Sequence, residues 1–389
     1  MNKNILEIQL IRGFCVFFII IGHITGNLIT WSAPGPDTFF QYFDGTTTLD
    51  VFFALSGFVI CRLLLTDLGK ANNVHQSLQI SSVFWLRRIW RLLPAAWLWL
   101  ALILLMTAFF NTSGAFGSFK DAWAGALSAF LQIANFKFID CWDEEYFCGP
   151  SFPYWTLSLE EQFYLFLPLF MIFSKRWFLP CISVLLFTQM FIPFLTFSPA
   201  LRVQGLLLGI LLAFWSLSPS YKIFEPTFLK NKWASRAMMV TMLTLMCVVS
   251  HRIIPSYAVH QISSVIGVIM IFITTWNAGY LFADKWVYGI GLWLGDRAYA
   301  MYLCHIPVMY MTREIAFRIL GPEISLGPQH FWYLVPAALV LIVLLSDLTF
   351  RLVERPLRSK GVVIAKGRSA SFAEERATEA RQDSPSGVN

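Results

Sequence analysis

The sequence predicts an all-α polytopic membrane protein with about ten transmembrane helices and both termini in the cytoplasm. Three observations lead there. Of the 389 residues, 57% are hydrophobic and only 13% charged, against about 25% charge in a soluble domain. The mean hydropathy is +0.62, and apolar runs of about 20 residues, long enough to cross a bilayer, recur along the chain. These runs are continuous rather than alternating, which argues for helices and against the strands of a barrel. In lipid only those two structures satisfy every backbone polar group. A soluble enzyme, a disordered chain and a nucleic-acid module are excluded. The formal net charge of +6 is no argument for nucleic acid until its placement is known.

Spans are expected near residues 6–29, 48–67, 94–111, 154–173, 177–197, 200–217, 235–252, 259–281, 296–318 and 331–353. The segment 122–138 is less apolar and is left open between an interfacial and a re-entrant placement. With the N-terminus inside, all but six of the 29 Lys and Arg residues fall on the cytoplasmic side. The six are Lys120, Lys137, Arg202, Arg252, Arg313 and Arg318, a bias that the positive-inside rule demands. Glu7 and Arg12 interrupt the first apolar run, and no small-residue cleavage site follows, so a cleavable signal peptide is not expected. Five of the seven cysteines sit in apolar runs as small hydrophobes. Cys141 and Cys148 share a polar loop and can pair if it faces an oxidising compartment. Residues 1–360 are expected to form one transmembrane domain. Residues 361–389 are rich in Ala, Glu, Arg and Ser and are expected to be a disordered cytoplasmic tail.

Ionisable groups at bilayer depth cost a few kcal/mol or more, so each needs a reason. Arg12 and His23 are eleven residues apart. At 100° per residue that is within roughly 20° of three turns, so both project from one helix face about 16 Å apart along the axis. A long substrate with an anionic head and a reactive far end would suit such a pair. The alternative is an Arg12 that snorkels to the interface and a structural His23. Arg88 and Arg91 share a face and offer guanidinium forks for phosphate, or else an amphipathic helix on anionic lipid. Glu160 and Glu161 open an aromatic span, where a carboxylate can orient an imidazole as the third member of a triad does. Tyr302 and His305 lie on one face of the ninth span, beside Pro307. Ser56-Gly57 reads as close helix packing. No Walker loop, HExxH or GxSxG motif appears, so the sequence offers no metal, ATP or serine-hydrolase signature.

Taken in order, these residues resemble the membrane-bound acyltransferase 3 family. Arg12 through Gly22-His23 matches its opening Arg or Lys followed by ten residues and a His. Leu49-Asp50-Val51-Phe52-Phe53-Ala54-Leu55-Ser56-Gly57-Phe58 matches its second block, and Arg88 and Arg91 its Arg-x-x-Arg. Trp155 to Tyr164 matches Trp-Ser-Leu-x-x-Glu-x-x-Phe-Tyr, with Thr156 in place of Ser. Tyr299, Tyr302, Leu303, His305 and Pro307 match the late block, and Glu354-Arg355-Pro356 closes the pattern. The likeness covers roughly residues 8–358. It implies transfer of an acyl group, usually acetyl, from cytoplasmic acetyl-CoA to a hydroxyl of an extracytoplasmic or lipid-linked carbohydrate. His23 is the implied general base, with Glu160 as its orienting carboxylate and His305 and Tyr302 as donors to the oxyanion. An acyl-histidine at His23 is the open alternative. Arg12, Arg88 and Arg91 would hold the phosphates of acyl-CoA, and Asp50, Trp155 and Glu161 would bind substrate. Some family members carry an extracytoplasmic SGNH hydrolase-like domain. This chain is expected to be the single-domain type, acting alone or with a separate extracytoplasmic protein, in a bacterial inner membrane among its lipids. Alternatives are a small-molecule or lipid acceptor, and less readily a flippase of lipid-linked sugars, for which no internal repeat is evident.

Overall fold

The computed structural model describes residues 5–32, 45–143, 148–191, 200–249 and 256–382. Among these residues the chain is helical, without a strand beyond one bridge between Thr25 and Ile29. Helix α1 (Leu6–Gly22) runs unbroken into His23, its C-terminal cap, and then turns through Ile24–Asn27, where Gly26 takes φ 81°. Helix α2 (Thr46–Leu68) is followed by α3 (Val74–Phe109). α3 begins well before its apolar half because the Asn73 side chain caps it, accepting from the Gln76 amide at 2.9 Å. Pro94 lies within it.

The segment left open by hydropathy forms two short helices, α4 (Phe119–Phe130) and α5 (Ala134–Asp143). They turn back through Gln132, which has positive φ. A disulfide joins Cys141, in the last turn of α5, to Cys148 beyond the helix. Then come α6 (Tyr154–Ser174), α7 (Phe178–Phe191), α8 (Gln204–Trp215), α9 (Lys232–Val248) and α10 (Ser256–Thr274). The chain continues through α11 (Lys285–Leu320) and α12 (Phe331–Thr349), a π-helical turn at Phe350–Glu354, and α13 (Arg355–Gln382).

Every expected span overlaps one of these helices. Among the described residues, four helical runs are long and apolar enough to cross a membrane: Thr47–Leu68, Val74–Phe109, Tyr154–Phe191 and Pro328–Glu375. Gln204–Trp215 and Ala258–Thr274 are apolar but shorter. The ends of the spans expected at 177–197 and 235–252 lie outside the described residues, as does the tail beyond residue 382.

Small residues let the helices approach backbone to backbone, as in lipid-embedded bundles. A Cβ on Gly57 of α2 would lie 2.1 Å from the Leu206 carbonyl oxygen of α8, and one on Gly209 would lie 2.2 Å from that of Ala54. Gly295 brings α11 equally close to Gln9 of α1. At the cytoplasmic ends expected for α9 and α11, Arg236 clasps Asp284 with bonds of 2.7 and 3.0 Å. Those hydrogen bonds hold the Asp284 carboxyl below its usual range.

The segment after residue 360, expected to be disordered, continues as helix α13 to Gln382. Its composition cannot build a core of its own, but it lies along the first half of α3. Gly361 sits against Trp90, Ala365 is fully buried, and Gln79 donates to Glu375 at 3.3 Å.

Candidate functional site

A cavity of about 930 Å³ opens between α1, α2, α3, α6 and α11. Seven cations line it: Arg12, Arg62, Lys70, Arg87, Arg88, Arg91 and Arg358. Against them stand two carboxylates, Asp67 and Glu160. Asp67 is taken by Lys70 at 2.8 Å. Arg88 is held between two rings, its guanidinium carbon 5.0 Å from the centroid of Tyr164 and 5.5 Å from that of Phe84. Among the described residues Arg12 bonds only to Gln9, at 3.4 Å, and the buried Nε of Arg91 has no hydrogen bond. Buried Glu354, at the end of the π-helical turn, interacts electrostatically with Arg12, Arg91 and Arg358, and one of its oxygens is unbonded. A clustered, under-neutralised set of guanidiniums favours a multiply charged anion such as a di- or triphosphate.

The other end of the cavity is lined by Ser56, Thr156, Glu160 and Tyr302. Glu160 accepts from Ser56 at 2.8 Å and from Tyr164 at 2.9 Å. The Tyr302 and Thr156 hydroxyls lie 2.6 Å apart, and both reach the Pro153 carbonyl at 3.0 Å. Both hydroxyls can donate to that carbonyl, or one of them can donate within the pair, and either way both protons are committed.

His23 and His305 meet beside this end. His23 Nδ1 is 3.0 Å from His305 Nε2, and His305 Nδ1 is 2.7 Å from the Tyr302 carbonyl oxygen. A carbonyl can only accept, so His305 carries its proton on Nδ1. Its Nε2 is then the acceptor for an Nδ1–H of His23. The lone pair of His23 therefore sits on Nε2, which has no hydrogen bond among the described residues. One imidazole thus fixes the tautomer of the other, the task that a carboxylate performs in a triad. The rings stack at 5.1 Å, and Phe152 meets His23 edge-on at 5.4 Å. The pair is joined to the cavity through Tyr302, whose side chain lines it while its carbonyl holds His305.

Most of the residues singled out in the sequence therefore gather around one space. Arg12, Arg88 and Arg91 are at its basic end, with Glu160 and Tyr302 at the other, and His23 and His305 adjoin it. Two roles need correcting. Glu160 accepts from Ser56 and Tyr164, whereas His23 Nδ1 is bonded to His305 rather than to a carboxylate. His305 and Tyr302 have no proton left for an oxyanion, because each is already bonded within the network. The residues assigned to substrate, Asp50, Trp155 and Glu161, do not line the cavity. Asp50 is fully buried in an ion pair with Arg202, whose Nε donates at 2.9 Å and whose Nη2 also contacts it. Trp155 stacks on Phe138 at 4.9 Å and meets Phe53 edge-on. Glu161 lies beside Glu160 on the same helix.

Arg62 and Arg358 line the site although the sequence reading does not single them out, and Ser56, read there as packing, lines it too. A signal existed for Arg358, which stands four residues after Glu354 and so shares its helix face. Among the described residues no group of three or more His, Cys, Asp or Glu side chains is arranged to hold a metal ion.

Comparison with known proteins agrees with the earlier likeness. The family model described as an acyltransferase domain matches residues 5–351. The chain is 25% identical over 390 residues to the peptidoglycan O-acetyltransferase OatA of Listeria monocytogenes, covering 93% of this chain and 57% of that protein. It is 25% identical to the putative peptidoglycan O-acetyltransferase YrhL of Bacillus subtilis, covering 90% and 54%. The O-acetyltransferase OatA of Staphylococcus aureus is 26% identical, covering 90% and 57%. The chain thus spans little more than half the length of these relatives. No solved structure matches.

Proposed function

The chain belongs to the acyltransferase family whose model spans residues 5–351, and from that membership we propose that it is a membrane O-acyltransferase. In this reading it moves an acyl group, acetyl foremost, from a cytoplasmic acyl-CoA to a hydroxyl of a cell-envelope carbohydrate. Peptidoglycan, named in two of the relatives, is the first acceptor class to test. The observation that carries the reading is the His23–His305 pair adjoining a cavity whose other end holds seven cations.

The thioester would be the reactive far end of a donor whose phosphates rest on Arg12, Arg88 and Arg91. The cavity runs from these arginines to Tyr302, which holds His305, and α1 sets Arg12 and His23 about 16 Å apart along one face. His23 Nε2 takes the proton of the acceptor hydroxyl as its oxygen attacks the thioester carbonyl. The carbon–sulfur bond breaks, and the imidazolium returns the proton to the departing CoA thiolate, leaving an ester and free CoA. His305 Nε2 accepts from the His23 Nδ1–H throughout and so favours the imidazolium that forms. Glu160, Ser56 and Tyr164 shape the space beside the thioester. An acceptor on the far side of the membrane would approach the His pair from the end opposite Arg12.

Mass spectrometry of surface glycans from wild-type, deletion and His23→Ala strains, before and after mild base, tests this. A base-labile acetyl increment lost in both mutants supports the reading. An increment retained in the His23→Ala strain overturns the role of His23. Unmodified glycans in all three overturn the carbohydrate acceptor.

A further inference from the structure

Beside the main cavity lies a second chamber of about 430 Å³, between α3 and α13 with the end of α2 as its third side. Asp67, Lys70, Arg87, Arg88, Arg91 and Arg358 line both spaces, so the two share one basic wall. Beyond that wall the chamber is apolar: Ile80, Val83 and Phe84 come from α3, and Val362 and Phe372 from α13. It also contains Gln79, a buried side chain whose Oε1 has no hydrogen bond although its Nε2 donates to Glu375. The chamber exists because α13 packs along α3, with Gly361 against Trp90.

We propose that this chamber takes the nucleotide end of the acyl-CoA donor, and that Arg358 on the C-terminal helix is one of its phosphate ligands. This rests on the donor reading above. A CoA thioester has three chemically distinct parts, and the two joined spaces offer a matching environment for each. The acyl-bearing arm is uncharged and slender, and suits the main cavity running to Thr156 and Tyr302. The diphosphate suits the arginines common to both spaces. An adenine ring is flat, largely apolar on its faces and rimmed by hydrogen-bonding nitrogens. It suits the walls of Phe84, Val362 and Phe372, with the free Gln79 oxygen as an acceptor for the exocyclic amine. The remaining ribose phosphate would then lie at the rim with Lys70 and Arg87. Glu354 offsets part of the like charge of Arg91 and Arg358. An anionic lipid headgroup shares the phosphate chemistry, but it has no use for a cavity leading away from the lipid to Glu160.

The test compares two donors, acetyl-CoA and S-acetylpantetheine, with the full-length protein in detergent. The two donors share the thioester and differ by the phosphates and the nucleoside. Wild type is expected to prefer acetyl-CoA in kcat/KM. Arg358→Ala is expected to lower that preference about tenfold or more, the scale of one lost charge-assisted hydrogen bond, and Arg358→Lys to recover part of it. Adenosine 3′,5′-bisphosphate should protect wild type against thermal unfolding and protect Phe372→Ala less. An Arg358→Ala enzyme with the wild-type preference overturns the proposal while leaving the donor reading intact. Wild type that turns over neither donor overturns both. Protection by vesicles of anionic phospholipid, with none from the bisphosphate, would give the chamber to a headgroup and overturn the nucleotide assignment.

Discussion

His23 and His305 are 282 positions apart in the chain, and their ring nitrogens meet at 3.0 Å. Because His305 Nδ1 is bound to the Tyr302 carbonyl at 2.7 Å, the pair has one tautomeric arrangement when neutral, with the reactive lone pair on His23 Nε2. In the mechanism proposed above, His305 is a positioning residue. His23→Ala should lose the general-base contribution, roughly 10²–10⁴-fold in kcat, at normal membrane abundance. His305→Leu should fall less far. His305→Gln, whose amide oxygen can still accept from His23 Nδ1–H, should retain more than His305→Leu. Acetyl-CoA turnover by purified variants measures this, and equal loss in the Gln and Leu variants would remove the positioning role.

Glu160 links α2 to α6 through Ser56 and to Tyr164 on its own helix. Glu160→Ala leaves two buried hydroxyls without their acceptor, a cost of about 1–3 kcal/mol for each orphaned group. Thermal unfolding in detergent should show a clear fall in midpoint for Glu160→Ala and a smaller one for Glu160→Gln. If Glu160→Ala unfolds like wild type yet is inactive, the carboxylate has a chemical role beyond shaping the cavity.

The Asp50–Arg202 pair is buried and lies outside the cavity lining. Removing one partner should cost about 3–5 kcal/mol, since it strands the other charge. Asp50→Ala should thus lower abundance steeply. The double replacement Asp50→Leu/Arg202→Met should recover much of it, because apolar side chains of similar volume often substitute for a buried pair. Turnover per folded molecule should stay near wild type in the double variant. A folded but inactive double variant would restore Asp50 to the substrate.

Cys141 and Cys148 give a handle on orientation. If the loop after α5 is outside, a membrane-impermeant maleimide should label these two in intact cells only after reduction. Labelling confined to inverted vesicles would reverse the topology that the Lys and Arg distribution predicts. Replacing both with Ser should cost roughly 2–3 kcal/mol for so short a loop.

Much of this architecture was legible because single-helix periodicity carries it. Arg12 and His23 share a face since α1 runs unbroken to His23, and the Arg88–Arg91 spacing puts both at the cavity. Periodicity assigns a face but not the partner across it. That is why Glu160, rather than His305, was paired with His23, and why Asp50 looked available for substrate when Arg202 already held it. The C-terminal helix was misjudged for the same reason. Its composition is that of a solvated chain, and only the surface offered by Trp90 and its neighbours on α3 gives it something to lie against.

The glycine contacts of α2 carry a consequence for how the enzyme can change over time. Gly57 and Gly209 clamp α2 to α8 with no room for even a methyl group, so the cavity side formed by Phe58, Val59 and Leu63 has a fixed position. A lineage that adopts a different donor cannot make space by shifting that helix. Its changes must be written in the side chains of α3, α6 and α13, where replacement does not require moving a backbone. On the α2 side, too, new space can come only from replacing side chains such as Val59 and Leu63, and not from moving the helix that carries them.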